Sequence, residues 1–448
     1  WLRTNSYGKF ELAWKKASKA THYKVIVARD EAMKDVVFTK RTPKLHSWVL
    51  DSDVKEGQKY YYRIRSLNGT KPGGVTKVGA VRTKVQPVGR PENPAVKPLS
   101  TSSVRVSWEA GKRASGYTVK LRKTPTGTPF WSKRTTSLSM DVTGLTEKSF
   151  FVTVTSDRYK TTTRDSRTVY GATRLATPES DKAFDAKVGS YNVMHYTNRS
   201  KERPWSSRRS KAASLIKDLD IVGIQESTWG QVYSPMSGLT SALAQRPIAQ
   251  LNKLAGLTLA WNTDTNKPCS LHSVHVLYRS SKFSLSSCGE KALSYDNRYM
   301  TWAVLKDKDS GGKVLVVNTH LMNGASANSQ RAVQAEQIID KIEAINTGNL
   351  PVIITGDLNS WHGRVNTTPL SLLVKAGYNP SDLVSPVLVN GRYGSAHDFK
   401  PTLKNSIRID HIFTSDKVLT SKFELRKTTE STAPSDHHPV VALVSVYR

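Results

Sequence analysis

The sequence predicts a multidomain chain: two all-β sandwich modules followed by an α/β domain with mixed sheets. Three observations carry this. The first 175 residues alternate short β-prone runs with turn residues and show no long helical pattern. That region also repeats itself. From Phe184 onward the pattern changes to apolar strand-like runs interleaved with helical stretches, each run delivering polar residues at one end.

The repeat is read from paired stretches. FELAWKKASKATHYKVIVAR (Phe10 to Arg29) aligns with VRVSWEAGKRASGYTVKLRK (Val104 to Lys123), and YYYRIRS (Tyr60 to Ser66) with FFVTVTS (Phe150 to Ser156). Trp14 precedes Tyr23 by nine residues, as Trp108 precedes Tyr117, and the 94-residue spacing of the tryptophans is the length of one small sandwich. The expected domains are residues 1–85, 91–175 and 183–448. QPVGRPENP (Gln86 to Pro94) reads as a Pro-rich linker, and LATPESDK (Leu175 to Lys182) separates the second copy from the α/β domain. The pattern of an early core Trp, a Tyr on the next strand and a later aromatic strand resembles the fibronectin type III family. By that resemblance the first copy, starting mid-pattern, lacks its opening strand.

Lysine and arginine number 67 against 36 acidic residues, a net charge of +31. Residues 1–180 hold 35 basic and 14 acidic residues, or +21; residues 181–448 hold 32 and 22, or +10. This surplus favours polyanionic partners: nucleic acid or another phosphate-bearing polymer, with a cell-envelope polymer a candidate for the basic sandwich modules. No run approaches the roughly 18 apolar residues of a membrane span. The chain starts at Trp1 without a methionine, so a targeting segment is expected to have been removed or not included. Cys269 and Cys288 flank a predicted strand and are compatible with one disulfide in an exported protein, though a reduced chain carries two cysteines equally well. The expected location is secreted or cell-surface.

In the α/β part, AKVGSYNV ends in Asn192, and IVGIQE finishes with Gln225 and Glu226. Between them SSRRSKAASLIKDLD (Ser206 to Asp220) predicts a serine-capped helix with an apolar stripe through Ala213, Ile216 and Leu219. GKVLVVNTHL ends at Asn318, Thr319 and His320, and a helix follows over 328–345. PVIITGDLNSWHG (Pro351 to Gly363) predicts a buried strand ended by Gly356, with Asp357 and Asn359 on an exposed turn. RIDHIFTS and SDHHPVVALVSV complete the series with Asp410, Asp436 and His437. Any one of these residues has an ordinary structural explanation. Their joint occurrence at strand ends does not.

SYN, QE, NTH, GDLN, RIDHI and SDHHPV, in this order, resemble the endonuclease/exonuclease/phosphatase superfamily. The resemblance implies a four-layer α/β sandwich with two mixed sheets and a site where strand ends converge. It further implies a hydrolase of phosphate esters, with Mg²⁺ (Mn²⁺ or Ca²⁺ as substitutes) held by Glu226, Asn192 as a carbonyl ligand or water anchor, and Asp436. Magnesium takes only one or two protein carboxylates and keeps several waters, so a sparse set suffices. By the same resemblance His437 is the base or phosphate donor, oriented by Asp410. Asp357 and Asn359 hold the attacking water and a phosphate oxygen, and His320 faces the phosphate as a candidate acid. The family's glutamate partner for His320 has no matching motif; Asp264, Glu290 and Asp296 are the acidic residues in that region. No Cys or His cluster has zinc spacing.

Four residues are candidates for reading substrate. Trp205 and Arg208 lie in a basic stretch, RSKERPWSSRRSK (Arg199 to Lys211), suited to phosphate contacts and base stacking. Arg298 starts another strand, and His397 precedes the RIDHI strand. The leading expectation is an exported nuclease on DNA or RNA. The alternatives are a phospholipase C, sphingomyelinase or small-molecule phosphatase of the same fold, with QVYSPMSGL (Gln231 to Leu239) as an exposed loop, and a non-enzymatic polyanion- or envelope-binding protein.

Overall fold

The computed structural model describes residues 2–50, 52–159, 162–173, 180–194, 203–227, 247–262, 267–362, 368–391, 393–400 and 407–448. Arg199, Asp264 and the stretch 231–239 lie outside the described residues.

The two N-terminal repeats have the same strand plan. In the first, a sheet ordered Leu2–Ser6, Lys9–Ala13, His46–Val49 faces one ordered Val36–Thr42, His22–Ala28, Lys59–Asn68, Lys71–Val75, with Gly79–Arg82 also on Lys59–Asn68. The second repeats this strand for strand, from Glu92–Ser100 to Val169–Ala172. Alternation turns Val25, Val27, Tyr60 and Ile64 into one core, and Val119, Leu121, Phe150 and Val152 into its counterpart. Trp14 and Tyr23 meet at 5.4 Å and 58°, and Trp108 and Tyr117 repeat both values. The expectation that the first copy lacks its opening strand is corrected: Leu2–Ser6 pairs antiparallel with Lys9–Ala13, shorter than its nine-residue counterpart but present. The copies are joined by Arg158 and Glu56, 2.8 Å apart and largely covered.

The C-terminal part is built on two sheets. One runs Thr258–Leu259, His275–Tyr278, Ile221–Gln225, Lys182–Asn192, Val440–Tyr447, Val418–Leu425, Val387–Val389. The other runs Phe283–Ala292, Tyr299–Asp307, Lys313–His320, Val352–Asp357, Asp410–Thr414, Asn379–Pro380. Both are mixed: Lys182–Asn192 runs parallel to Ile221–Gln225, and Lys313–His320 to Val352–Asp357, whereas Val352–Asp357 and Asp410–Thr414 are antiparallel.

The near-continuous apolar runs follow from burial on both strand faces. Val314, Val316, Ile353 and Ile412 enter the core shared by the two sheets. Their neighbours Leu315, Val317, Ile354 and Phe413 meet Ile338 and Ile342 of the Asn328–Ile345 helix. On the other sheet Val222 and Ile224 pack with Ala212, Ala213 and Leu251 of the Trp205–Ser214 and Pro247–Ala255 helices.

The predicted 206–220 helix is shorter. It spans Trp205–Ser214 behind Pro204, without a side-chain cap, and Ile216 and Leu219 are buried in the turns that follow. No helix among the described residues is long and apolar enough to cross a membrane.

Between the sheets lies one polar layer. Asn318, fully buried, donates to the carbonyls of Ile224 (2.8 Å) and His275 (2.9 Å) in the opposite sheet. Its Oδ1 accepts from Gln225 Nε2 (2.6 Å) and Thr355 Oγ1 (3.2 Å), and Gln225 also reaches Ser190 Oγ at 3.1 Å. Gly223 permits this approach: a Cβ there would lie 2.0 Å from Thr355 Oγ1 and 2.5 Å from Asn318 Oδ1.

Candidate active site

Strand ends of both sheets meet above the Asn318 layer. The first sheet delivers Asn192, Glu226 and, just before Val440, Asp436 and His437; the second delivers His320, Asp357 and Asp410. Gly356 and Asp357 continue the strand rather than ending it, Asp357 pairing with both His320 and Asp410. The GDLN turn is therefore not exposed: Asp357 is 2% exposed. At Gly356 a Cβ would meet the Thr319 carbonyl at 2.7 Å, so the strands pass this closely only with glycine. Asn359 adopts a φ of 46°, which Asn tolerates, and Glu226 a φ of 52°, an uncommon conformation for a residue of its size.

A bonded chain crosses the site. Asn192 donates its amide to Glu226 Oε1 (3.1 Å) and to Asp357 Oδ2 (3.0 Å), while its Oδ1 accepts from the Met194 amide at 3.0 Å. Reversing that amide would set its oxygen against two carboxylates. In its present orientation Asn192 holds the Glu226 and Asp357 carboxylates together. Asp357 Oδ1 accepts from the Asn359 backbone at 2.9 Å. Asn359 Nδ2 donates to the Leu321 carbonyl (3.0 Å) and lies 3.1 Å from His320 Nε2, which also stands 3.6 Å from Asp357 Oδ2. Glu290, weighed as its partner, binds His272 instead, at 3.0 Å.

His437 Nδ1 and Asp410 Oδ2 are 2.7 Å apart and buried. Burial opposes charge on the imidazole, but Asp410, with Asp357 and Asp436 nearby, outweighs it and raises the His437 pKa well above the ordinary value. Burial, then the Asp410 charge, pushes the Asp357 carboxyl up to about 7, against the opposing pull of His437 and Asn192. Single ligand atoms of Asp357, Asp410 and His437 lie within 4.8 Å of one another. The tight His437–Asp410 bond makes this trio a proton-handling group first.

Two further carboxylates stand at these strand ends. Glu226 and Asp436 offer hard carboxylate oxygens without sulfur, the chemistry Mg²⁺ prefers. Asp436 Oδ1 lies 3.3 Å from the Ser435 hydroxyl oxygen.

The four substrate-reading candidates are engaged with other parts of the protein. Trp205 is 8% exposed, lies in the helix core and donates to Gln250 at 3.1 Å, so it offers no face to a base. Arg208 is buried, its guanidinium donating to the carbonyls of Val193, Met194, Arg203 and Pro434. Four structural bonds replace the expected phosphate contact. Arg298 pairs with Asp296 at 2.9 Å. His397 is buried against His438 at 4.1 Å between ring centres, its backbone amide donating to the Asp436 carbonyl, so it supports the site from behind. Burial drives its pKa down to about 4.

The sequence reading missed Ser435, whose hydroxyl donates to the Asn192 carbonyl at 2.7 Å and accepts from the His437 amide. It also missed a second grouping, His362, Asp382 and His411, in which one ligand atom of each lies within 4.8 Å of the others. Gaps of 20 and 29 residues leave that trio no spacing signature.

Residues 189–437 match the Endonuclease/Exonuclease/phosphatase family. The chain belongs to this family. It is accordingly a hydrolase of phosphate esters. A 200-residue segment is 26% identical to the 5'-tyrosyl-DNA phosphodiesterase of Caenorhabditis elegans, covering 44% of this chain and 48% of that protein. The chain thus spans about half the length of this curated relative. Among solved structures, a family member from Bacteroides thetaiotaomicron shares 22% identity over 59% of this chain and 99% of its own, with a TM-score of 0.46. A mannosyl-6-phosphatase from the same organism shares 23% over 58% and 99%, with a TM-score of 0.47.

Proposed function

We propose that this family member is an exported, divalent-metal-dependent phosphodiesterase that hydrolyses nucleic acid. The observation that carries the reading is the bonded chain from Glu226 through Asn192 to Asp357, closed by the His437–Asp410 pair. In this reading Asp357, with a pKa of about 7, takes the proton of the attacking water, which Asn359 helps position. His437, kept protonated by Asp410, donates from Nε2 to a phosphate oxygen. Asn192 keeps Glu226 and Asp357 from separating as charge builds between them. Glu226, with Asp436, would hold a Mg²⁺, which when bound would neutralise charge on the phosphate.

Nucleic acid as substrate is supported by the +31 charge and by the relative named for tyrosyl-DNA. Export is supported by the Cys269–Cys288 disulfide, whose Cα atoms are 5.5 Å apart. The N-terminal units, read as fibronectin type III modules ahead of a four-layer catalytic sandwich, add a basic surface for polyanions.

The deciding experiment is a substrate panel on the intact chain with Mg²⁺, Mn²⁺ or Ca²⁺. Nicking of supercoiled DNA that chelator stops, and that His437→Ala abolishes, is expected. Turnover of a phosphocholine or inositol-phosphate ester with no cleavage of DNA or RNA overturns the nuclease reading and keeps the family.

A further inference from the structure

On the far side of the Asp410–Thr414 strand from the His437 pair, three potential ligands converge. His411 is buried, and its Nε2 lies 3.0 Å from the Ser360 carbonyl. A carbonyl only accepts, so Nε2 carries the hydrogen and Nδ1 the lone pair. That Nδ1 is buried without a hydrogen-bond partner. A metal-binding histidine is commonly fixed by this arrangement, its second nitrogen donating to a backbone carbonyl.

Asp382 is 4% exposed. Its Oδ2 is fixed by Arg408 Nη1 at 2.8 Å, leaving Oδ1 turned toward His362 Nε2 at 3.4 Å. That separation is long for a charged hydrogen bond, which prefers about 2.7–2.9 Å. It matches the edge of a tetrahedron with metal–ligand bonds of about 2.0–2.1 Å, roughly 3.4 Å. The His362 and His411 rings stand 5.3 Å apart at 79°. Two imidazoles sharing a tetrahedral ion would have ring centres separated by about 5 Å.

We propose that His362, Asp382 and His411 form a transition-metal site, separate from the catalytic carboxylates, suited to Zn²⁺. Two imidazoles and one carboxylate are a recurrent zinc set with a fourth position left for water. The ion ties together three elements distant in sequence: the segment leaving the GDLN turn, the Ser381–Val384 helix and the Asp410–Thr414 strand. The second sandwich covers it, since Tyr170 stacks on His362 with ring centres 5.0 Å apart and 7° between planes. A metal here therefore fastens the GDLN turn beneath the neighbouring module.

The test uses the intact chain, stripped with chelator and titrated with Co²⁺ in excess Mg²⁺, in wild type and in a Glu226→Gln background. The expected result is one equivalent of Co²⁺ with the intense visible absorption of tetrahedral coordination, displaced by Zn²⁺ and unchanged by Glu226→Gln. His362→Ala, on a turn, should keep the far-UV circular dichroism and lose the band. His411→Ala should lose it too; because that residue is in the core, His362→Gln is the second variant that decides. Absence of the band in wild type, or its survival in folded His362→Ala and His362→Gln, overturns the proposal.

Discussion

Asp357→Asn should stabilise the protein at alkaline pH while removing its activity. Asp357 is buried beside Asp410, and its pKa rises from 3.8 to about 7 in the folded chain. A raised carboxyl pKa means that the folded state binds the proton more tightly than the unfolded one. Stability is then lost as pH climbs from about 4 to about 7. A tenfold difference in proton affinity is worth about 1.4 kcal/mol, so Asp357 costs the fold roughly 2 kcal/mol at pH 5, where it must take up a proton to be buried, and about 4 kcal/mol at pH 8. Asparagine removes the charge at every pH but puts its NH₂ against the amide of Asn192, losing one hydrogen bond worth about 1 kcal/mol. That loss is the same at both pH values. The stability of the variant relative to wild type should therefore rise by about 2–3 kcal/mol between pH 5 and pH 8. Calorimetry reads this directly, since about 2–3 kcal/mol moves the Tm of a domain of this size by roughly 5–10 °C. A variant whose Tm difference from wild type does not change with pH, or changes in the opposite sense, refutes the reasoning.

His437→Ala and Asp410→Asn should each lower kcat by about 10²–10⁴-fold, the usual worth of a positioned acid or base, with little change in KM; steady-state kinetics on the best substrate separates the two. Arg208→Met leaves the carbonyls of Val193, Met194, Arg203 and Pro434 without their donor, and thermal unfolding should show a loss of about 3 kcal/mol or more, beyond a surface substitution's effect. Residues 1–175 alone should be retained on a heparin or DNA column at low salt and released as salt rises; free passage at low salt leaves these modules as spacers.

Much of the site was legible because buried strands exclude polar residues, so Asn192, Glu226, His320, Asp357 and Asp410 stood out at the ends of apolar runs. Exposure was less legible. Trp205 and Arg208 sit in a basic stretch, yet the helix turns both inward, where arginine serves as a many-handed donor to carbonyls. Sequence placed Asp357 on an exposed turn because glycine commonly ends strands; here Gly356 lets the Thr319 carbonyl approach instead. The orientation of the Asn192 amide depends on acceptors 34 and 165 residues away. The His362 trio is likewise assembled only by the fold.

Two apolar sheets stacked face to face have no inherent reason to stop sliding, since oily contacts are much the same after a shift of a few ångströms. Asn318 changes that, because donors aimed at the Ile224 and His275 carbonyls work in one alignment only. The candidate catalytic groups come from both sheets, so the span between Glu226 and Asp410 follows this interlock more than the loops around it. Loops on the rim are then free to be lengthened or exchanged for a new substrate without retuning the distance across which the phosphate reacts.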